Sequence, residues 1–317
     1  MVLFKILVWT AAGACLLAWG CMSGSGPVRL AAGKSETIKV DIREMGFRRS
    51  YRVHLPAGSA GRGKLPLLVM LHGAFETAKS MERLTGFSDL ADREDFIVVY
   101  PNGIGLFGFL QHWNAGHCCG KAQKNGIDDV AFLETVLDDA RSRFSVDSNR
   151  IYMAGHSNGG MLACLYAAEK PGRLAGLAVV SGAIGSREAE KGVWQQIVRP
   201  SFGLPVLVIH GFNDQTIPYS GGPSRNHKSR EFMSVANTVD FWKSVNQCRG
   251  EAGKHFLGNG RVLVEQWMTG DHRIVLHTIY DWAHDWPGTR VPPGDKNSRA
   301  LENYDAADAI WNFFRVF

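Results

Sequence analysis

A chain of 317 residues with 45% apolar and 21% charged residues has an ordinary globular composition and can bury a sizeable core. The formal net charge of +5 comes from scattered lysines and arginines with no run of five or six, which speaks against a nucleic-acid surface. The six cysteines include no C-x-x-C pair, so nothing points to a zinc site.

The first element is a leader. Lys5 supplies one positive charge, and residues 6–19 are almost wholly apolar or small. Ala18-Trp19-Gly20 resembles a small-x-small cleavage site, and the Gly/Ser-rich residues 23–27 beyond it are loop-like. The apolar stretch is too short to cross a bilayer comfortably. Residues 1–20 therefore read as an export signal, and residues 21–35 as a flexible mature N-terminus. Cys21 offers an alternative at the same junction, a lipidated cysteine. Gly20 fits that pattern, while Trp19 is bulky and Ala18 replaces the usual Leu. Export implies an oxidising compartment. Cys118-Cys119 then reads as a vicinal disulfide, or one of the two bridges to Cys248. With Cys164 there are four thiols, and four thiols permit three complete pairings. Cys164, on an apolar helix face, reads as a small buried thiol.

Residues 35–41 and 50–55 alternate as two strands, with Met45-Gly46 in the turn between them. Residues 67–71 (LLVML) and 96–100 (FIVVY) are continuous apolar runs of the kind buried on both faces of a sheet. Residues 151–154, 177–180 and 206–209 continue the series. Helical patterns lie between them at 87–94, 129–144, 158–170 and 230–246. Residues 261–267 and 273–279 read as a late hairpin, and 305–317 as a final helix. Strands alternating with helices predict an α/β fold, a mostly parallel central sheet covered on both faces, in a single domain over residues 36–317. Two segments, 102–126 and 218–230, resist regular assignment. Loops of this length in a compact domain are often binding loops.

Gly155-His156-Ser157-Asn158-Gly159 is a G-x-S-x-G turn between a predicted strand and a predicted helix, the context that presents a nucleophilic serine. Serine needs a base within reach and an acid to orient that base. In doubly wound hydrolases the chain order is Ser, then Asp or Glu, then His. Asp214 follows the 206–209 strand, at the carboxyl end where sites of open α/β sheets gather. His284 lies on a loop after the last predicted strand, ahead of Pro287-Gly288. His272 and His277 compete for the base and Asp240 and Asp271 for the acid, each on a turn, strand or helix that fits less well. The backbone N–H of Asn158 would face a developing oxyanion. The second donor is expected from the His72-Gly73 turn, at Ala74 with Phe75 in reserve. His72 itself reads as a structural pin for that turn.

The chain resembles the secreted polyhydroxybutyrate-depolymerase-like and feruloyl esterases, related to carbohydrate esterase family one. The blocks that carry the resemblance include Leu71-His72-Gly73, Tyr100-Pro101-Asn102-Gly103, Trp113-Asn114-Ala115-Gly116 with Cys118-Cys119, Ser157-Asn158-Gly159-Gly160-Met161, Asp214 with Pro218-Tyr219, and His284 with Trp286-Pro287-Gly288. They span residues 36 to 317 and are far more specific than G-x-S-x-G alone. The resemblance implies the α/β-hydrolase fold and a Ser157–His284–Asp214 triad, in agreement with the reading of the residues. The chain departs from relatives at Trp282, where a small residue is common, at Ala168, where Cys is common, and at Phe75-Glu76.

The expectation is two-step hydrolysis of a carboxylic ester with no metal or organic cofactor. Trp113, Trp282 and Trp286 are expected near the mouth of the site, where aromatic walls suit a feruloyl ring, a sugar or a polyester. No linker or surface-binding module accompanies the domain, which favours feruloyl or acetyl esters on xylan over poly(3-hydroxybutyrate) or its oligomers. A non-catalytic surface binding protein that keeps a hydrolase shell is the alternative of another class, and the complete triad order argues against it.

Overall fold

The computed structural model describes residues 31–44, 46–59, 61–105, 108–189, 192–288 and 301–317. The expected leader, Cys21, most of the expected flexible N-terminus and Met45 of the first turn lie outside the described residues. No helix among the described residues is long and apolar enough to cross a membrane.

The apolar runs become strands because each alternates its side chains between two buried layers. In β3 (Leu65–Leu71), Leu67, Val69 and Leu71 enter one core layer, and Leu68 and Met70 enter the other. A fully buried aliphatic side chain of this size contributes about 1.5–3 kcal/mol. β4 (Ile97–Pro101), β5 (Val146–His156), β6 (Gly176–Val180) and β9 (Val206–Gly211) are built alike. With β14 (His272–Ile279) they form the parallel heart of a ten-stranded sheet. At one edge β2 (Phe47–Leu55) pairs antiparallel with β4, and β1 (Lys34–Glu44) pairs antiparallel with β2. β13 (Val262–Thr269) and β12 (Gly253–Leu257) extend the other. The order β1-β2-β4-β3-β5-β6-β9-β14-β13-β12 is that of an α/β hydrolase.

Helices cover both faces. α4 (Asp129–Arg143), α5 (Asn158–Glu169) and α6 (Val235–Asn246) pack into one layer. α1 (Ala78–Thr85), α2 (Phe87–Glu94) and α7 (Ala306–Phe314) pack into the other. Their ends follow local chemistry. Ser234 starts α6 through a capping box with Asn237, and the Asp305 side chain accepts the N–H of Ala307 at the start of α7.

Several expectations are corrected. Residues 230–246 are not one helix: Arg230–Phe232 is a strand, β11, and the helix begins at Val235 behind its Ser234 cap. β11 joins β7 (Gly185–Glu188), β8 (Gln195–Gln196) and β10 (Gly222–Pro223) in a small second sheet that no apolar periodicity announced. α1 and β12 were also not anticipated. β12 is exposed along its length, so it carries no buried face to read. The segment 102–126 contains the short helix α3 (Gly120–Lys124). Of the disulfide alternatives the vicinal one is present. Cys118 and Cys119 are bonded to each other, and Cys164 and Cys248 are buried and free. Burial pushes the Cys164 thiol up to about 12.

Candidate active site

The chain order sets where a site can form. From β3 the chain steps to β4 on one side, and later fills β5, β6 and β9 on the other. The carboxyl ends of β3 and β5 therefore meet at a switch point, the usual place for a site in an open α/β sheet. The turn His72-Gly73-Ala74 leaves β3 there, and Ser157 leaves β5 there.

Ser157 has φ 53° and ψ −120°. A non-glycine residue pays for that conformation in strain, of order 1–3 kcal/mol, and the surrounding chain enforces it. A Cβ on Gly155 would stand 2.3 Å from the Gly159 carbonyl oxygen, and one on Gly159 would stand 2.4 Å from the His72 carbonyl oxygen. Both obstacles are backbone, so only glycine lets strand, serine and helix turn this tightly. Asn158 is the first residue of α5, where an N–H has no intrahelical acceptor. Its side chain is otherwise occupied. Oδ1 accepts the Trp113 N–H at 2.7 Å and Nδ2 donates to the Trp113 carbonyl at 3.2 Å.

The structure brings Ser157, His284 and Asp214 into one line. His284 Nε2 lies 2.8 Å from Ser157 Oγ, and His284 Nδ1 lies 2.7 Å from Asp214 Oδ2. The loop carrying His284 sits directly on the end of β9, where a Cβ on Gly211 would lie 2.2 Å from the Ala283 carbonyl oxygen. The Asn213 N–H donates to the Trp282 carbonyl at 2.9 Å. His156 Nε2 donates to the His284 carbonyl at 2.9 Å, so the residue before the serine also holds the base's loop.

Asp214 is fully buried at its side chain and has four donors. Oδ1 accepts the N–H groups of Thr216 and Ile217 at 2.8 and 2.9 Å, and His210 Nε2 is 3.2 Å from Oδ2 beside His284. Burial works to raise this carboxyl, but the hydrogen bonds from His210 and His284 outweigh it and hold the group well below the usual carboxylate range. His210 is a neighbour that sequence reasoning did not single out. Its signal was its place four residues before Asp214 at the end of a buried strand. Nε2 of His210 also donates to the Ile217 carbonyl at 2.9 Å.

The β3 turn distributes its donors selectively. The Gly73 N–H goes to the Glu76 carboxylate at 2.7 Å and the Phe75 N–H to the Gln111 carbonyl at 2.6 Å. Among the described residues the Ala74 N–H has no such acceptor, and Ala74 lines the same cleft as Ser157 and Asn158. Glu76, which looked like a mere departure from relatives, thus shapes this turn.

His72 is buried and neutral. Its Nδ1 donates to the Gly73 carbonyl at 2.7 Å, and its Nε2 accepts the Gly103 N–H at 3.0 Å, a pairing that only the neutral ring supports. Burial pushes its pKa down to about 4, against the opposing pull of the Gly73 carbonyl and Glu76. In the unfolded chain the value returns to about 6.5. The folded value is the lower one, so the stabilising contribution is complete above about 6.5 and is lost as pH falls towards 4, because the unfolded chain takes up the proton first. Urea unfolding at pH 7, 5.5 and 4.5 should show this loss, at up to about 1.4 kcal/mol per pH unit from this residue. The slope should be shallower in His72→Gln, and an unchanged slope would contradict the assignment.

The aromatic expectations need correction. Trp113 is completely buried. Its ring lies 4.7 Å from that of His72, and its Nε1 donates to the His72 carbonyl at 2.9 Å. It supports the turn and does not face the cleft. Trp286 is buried against Phe87 and His156. Trp282 alone of the three borders open space, a polar groove of about 620 Å³ beside His284 that Asn213, Gln215, Asn226 and Asp281 also line. The Ser157 cleft, about 300 Å³, adjoins this groove at Thr216, which lines both, and takes walls from both irregular segments, including Cys118-Cys119 and His227. The competing residues are placed elsewhere. His277 bonds Tyr304 Oη at 2.8 Å, and Asp240 sits on the exposed side of α6 beside Lys243.

The profile of the family described as Esterase PHB depolymerase matches residues 49–239, a span from β2 into α6 that includes Ser157 and Asp214. The chain belongs to the esterase PHB depolymerase family. Proteins of similar sequence include feruloyl esterase B of Piromyces equi, 28% identical over 74% of this chain and 42% of that one. Poly(3-hydroxyalkanoate) depolymerase C of Paucimonas lemoignei is 29% identical over 76% of this chain and 58% of that one. The chain thus spans about half the length of these two relatives. An acetyl xylan esterase from Aspergillus awamori has the same fold at 13% identity, with a TM-score of 0.59 over 90% of this chain and all of that one. This esterase PHB depolymerase family chain is an ester-hydrolysing enzyme by family. The match ends at residue 239, before the strand and loop that bring in His284.

Proposed function

We propose that the protein is an exported serine esterase that cleaves carboxylic esters through Ser157, His284 and Asp214. The hydrogen-bonded line from Ser157 Oγ through His284 to Asp214 is the observation that carries this reading. His284 Nε2 takes the proton of Ser157 Oγ as the oxygen attacks the ester carbonyl. Asp214 keeps the imidazole oriented through Nδ1 and stabilises its charged form. The N–H groups of Asn158 and Ala74 receive the oxyanion. His284 then gives its proton to the departing alcohol, and water repeats the sequence on the acyl-enzyme. No step calls for a metal or organic cofactor. Export is supported by the apolar leader and by the Cys118–Cys119 disulfide.

The two open spaces divide the substrate. The cleft bears Ser157 and both oxyanion donors, which suits the acyl part. The groove meets it at Thr216 and bears His284. The alcohol must leave past His284, and the amides, hydroxyl and carboxylates around Trp282 suit a hydroxyl-rich alcohol such as a sugar. Feruloyl or acetyl esters borne by xylan are therefore the proposed substrates.

Turnover on methyl ferulate, acetylated xylan, hydroxybutyrate oligomers and a peptide tests the reading. The expected result is hydrolysis of the first two and none of the peptide. Turnover confined to hydroxybutyrate oligomers would move the substrate to polyester. Inactivity of folded protein on all four would reject the esterase.

A further inference from the structure

The wall of the Ser157 cleft contains a guanidinium that the mechanism does not use. β11 and β7 are antiparallel neighbours with Arg230 opposite Glu188, Glu231 opposite Arg187 and Phe232 opposite Ser186. Side chains alternate along a strand. Arg230, Phe232 and Glu188 line the cleft, while Arg187 and Glu231 pair on the other face. There Arg187 presents its Nε and Nη2 edge to Glu231 Oε2 at 2.9 and 2.7 Å.

Arg230 is held by its opposite edge. Nη1 donates to the His117 carbonyl at 2.6 Å and to Ser186 Oγ at 3.0 Å, and Nη2 reaches Gln123 Oε1 at 3.4 Å. His117 and Ser186 are themselves buried, so the guanidinium is fixed rather than trailing in solvent. Its Nε and the second hydrogen of Nη2 have no protein acceptor among the described residues, and no carboxylate there lies within ion-pair distance of it. Burial pushes its pKa below the usual value, with Glu188 pulling it back, yet an arginine stays charged under these conditions. Lys124 adds a second cation to the same wall.

A fixed, half-buried guanidinium with its Nε–Nη2 edge open is a carboxylate receptor lacking its carboxylate. From this we infer that the acyl cleft accepts acyl groups that end in a carboxylate, so that the enzyme also hydrolyses half-esters of dicarboxylic acids. Arg230 grips the free carboxylate while the ester carbonyl lies at Ser157. Glu188 repels the same carboxylate and sets how strongly anionic acyl groups are preferred. This rests on the esterase reading and adds a substrate class to it.

The test compares monoethyl adipate with its neutral counterpart ethyl hexanoate, following acid release by pH-stat. The quantity read is the ratio of their kcat/KM values, because a purely structural role of Arg230 would lower both together. The wild type should favour the half-ester by about tenfold or more, the scale of a charge-assisted, bidentate contact. Arg230→Gln should lower the ratio at least tenfold, and Glu188→Gln should raise it severalfold. Glu188→Gln leaves the Arg230 anchors in place, so it stays informative if Arg230→Gln fails to fold. A wild-type ratio at or below one, or a ratio that Glu188→Gln does not raise, would overturn the proposal. Calorimetric titration of Ser157→Ala with monoethyl adipate separates it from the esterase reading. Binding of the half-ester without wild-type turnover of either ester supports the receptor and rejects the esterase. Turnover of both without preference does the reverse.

Discussion

Ser157→Ala should abolish the burst of alcohol released from an activated aryl ester and lower kcat by about 10⁴- to 10⁶-fold. The size of the effect follows from geometry. Ser157 is held in a strained backbone conformation that places Oγ 2.8 Å from His284 Nε2, and among the described residues no other hydroxyl is so paired with His284. His284→Ala should cost about as much, and the double variant little more than either, because the two groups act in one step. Asp214→Asn should lower kcat by about 10⁴-fold. The amide would keep the contact to Nδ1 but favour the wrong ring tautomer, and would leave the Thr216 and Ile217 N–H groups on a neutral oxygen. Stopped-flow measurement of the burst on an aryl acetate checks the first variant, and an undiminished burst in Ser157→Ala would sink the assignment.

Asp129→Ala should be the most damaging single change to stability away from the triad. Arg49 and Asp129 form an ion pair at 2.7 Å with side chains 1% and 0% exposed. The guanidinium carbon lies 3.7 Å from the ring centre of Phe132, and Nη2 also donates to the Asn102 carbonyl at 3.3 Å. The second oxygen of Asp129 accepts the Asn114 N–H at 2.7 Å. The pair therefore ties β2, the start of α4 and the loop beyond β4 to the segment that Asn158 clamps through Trp113. Removing the carboxylate breaks a buried ion pair from one side, at a cost of about 3–5 kcal/mol, a large share of the roughly 5–15 kcal/mol that holds a domain folded. Urea unfolding should show that loss, and a change below about 1 kcal/mol would refute it. Replacing both partners, Arg49→Met with Asp129→Leu, should recover much of the stability, because both charges then leave the interior together.

The legible parts of the fold were those with a dense local signal. The runs of β3, β4, β5, β6 and β9 were readable because strands buried on both faces must be apolar throughout. Ser157 was readable because a tight strand-to-helix turn demands glycines at fixed spacing around it. Asp214 and His284 were readable because chain order and strand ends restrict where partners can stand. The small sheet of β7, β8, β10 and β11 was not legible. Its strands are two to four residues long, too short for a period to show, and the helix expected across Arg230 ran through one of them.

The sequence by itself determined the α/β alternation, the serine turn and the order of the residues now seen in line, since each is written in neighbouring residues or in their order. Tertiary structure alone decided which aromatic side chains meet open space. Trp113 and Trp286 are buried and Trp282 borders the groove, yet local sequence treats a tryptophan in packing and one at a mouth alike. It also decided the partners that come from distant chain: Arg49 with Asp129, Glu76 with the Gly73 N–H, and Arg230 with the His117 carbonyl and Ser186. Which charge is paired and which is left open to a ligand depends on distances set when the whole sheet closes, and no window of sequence contains them.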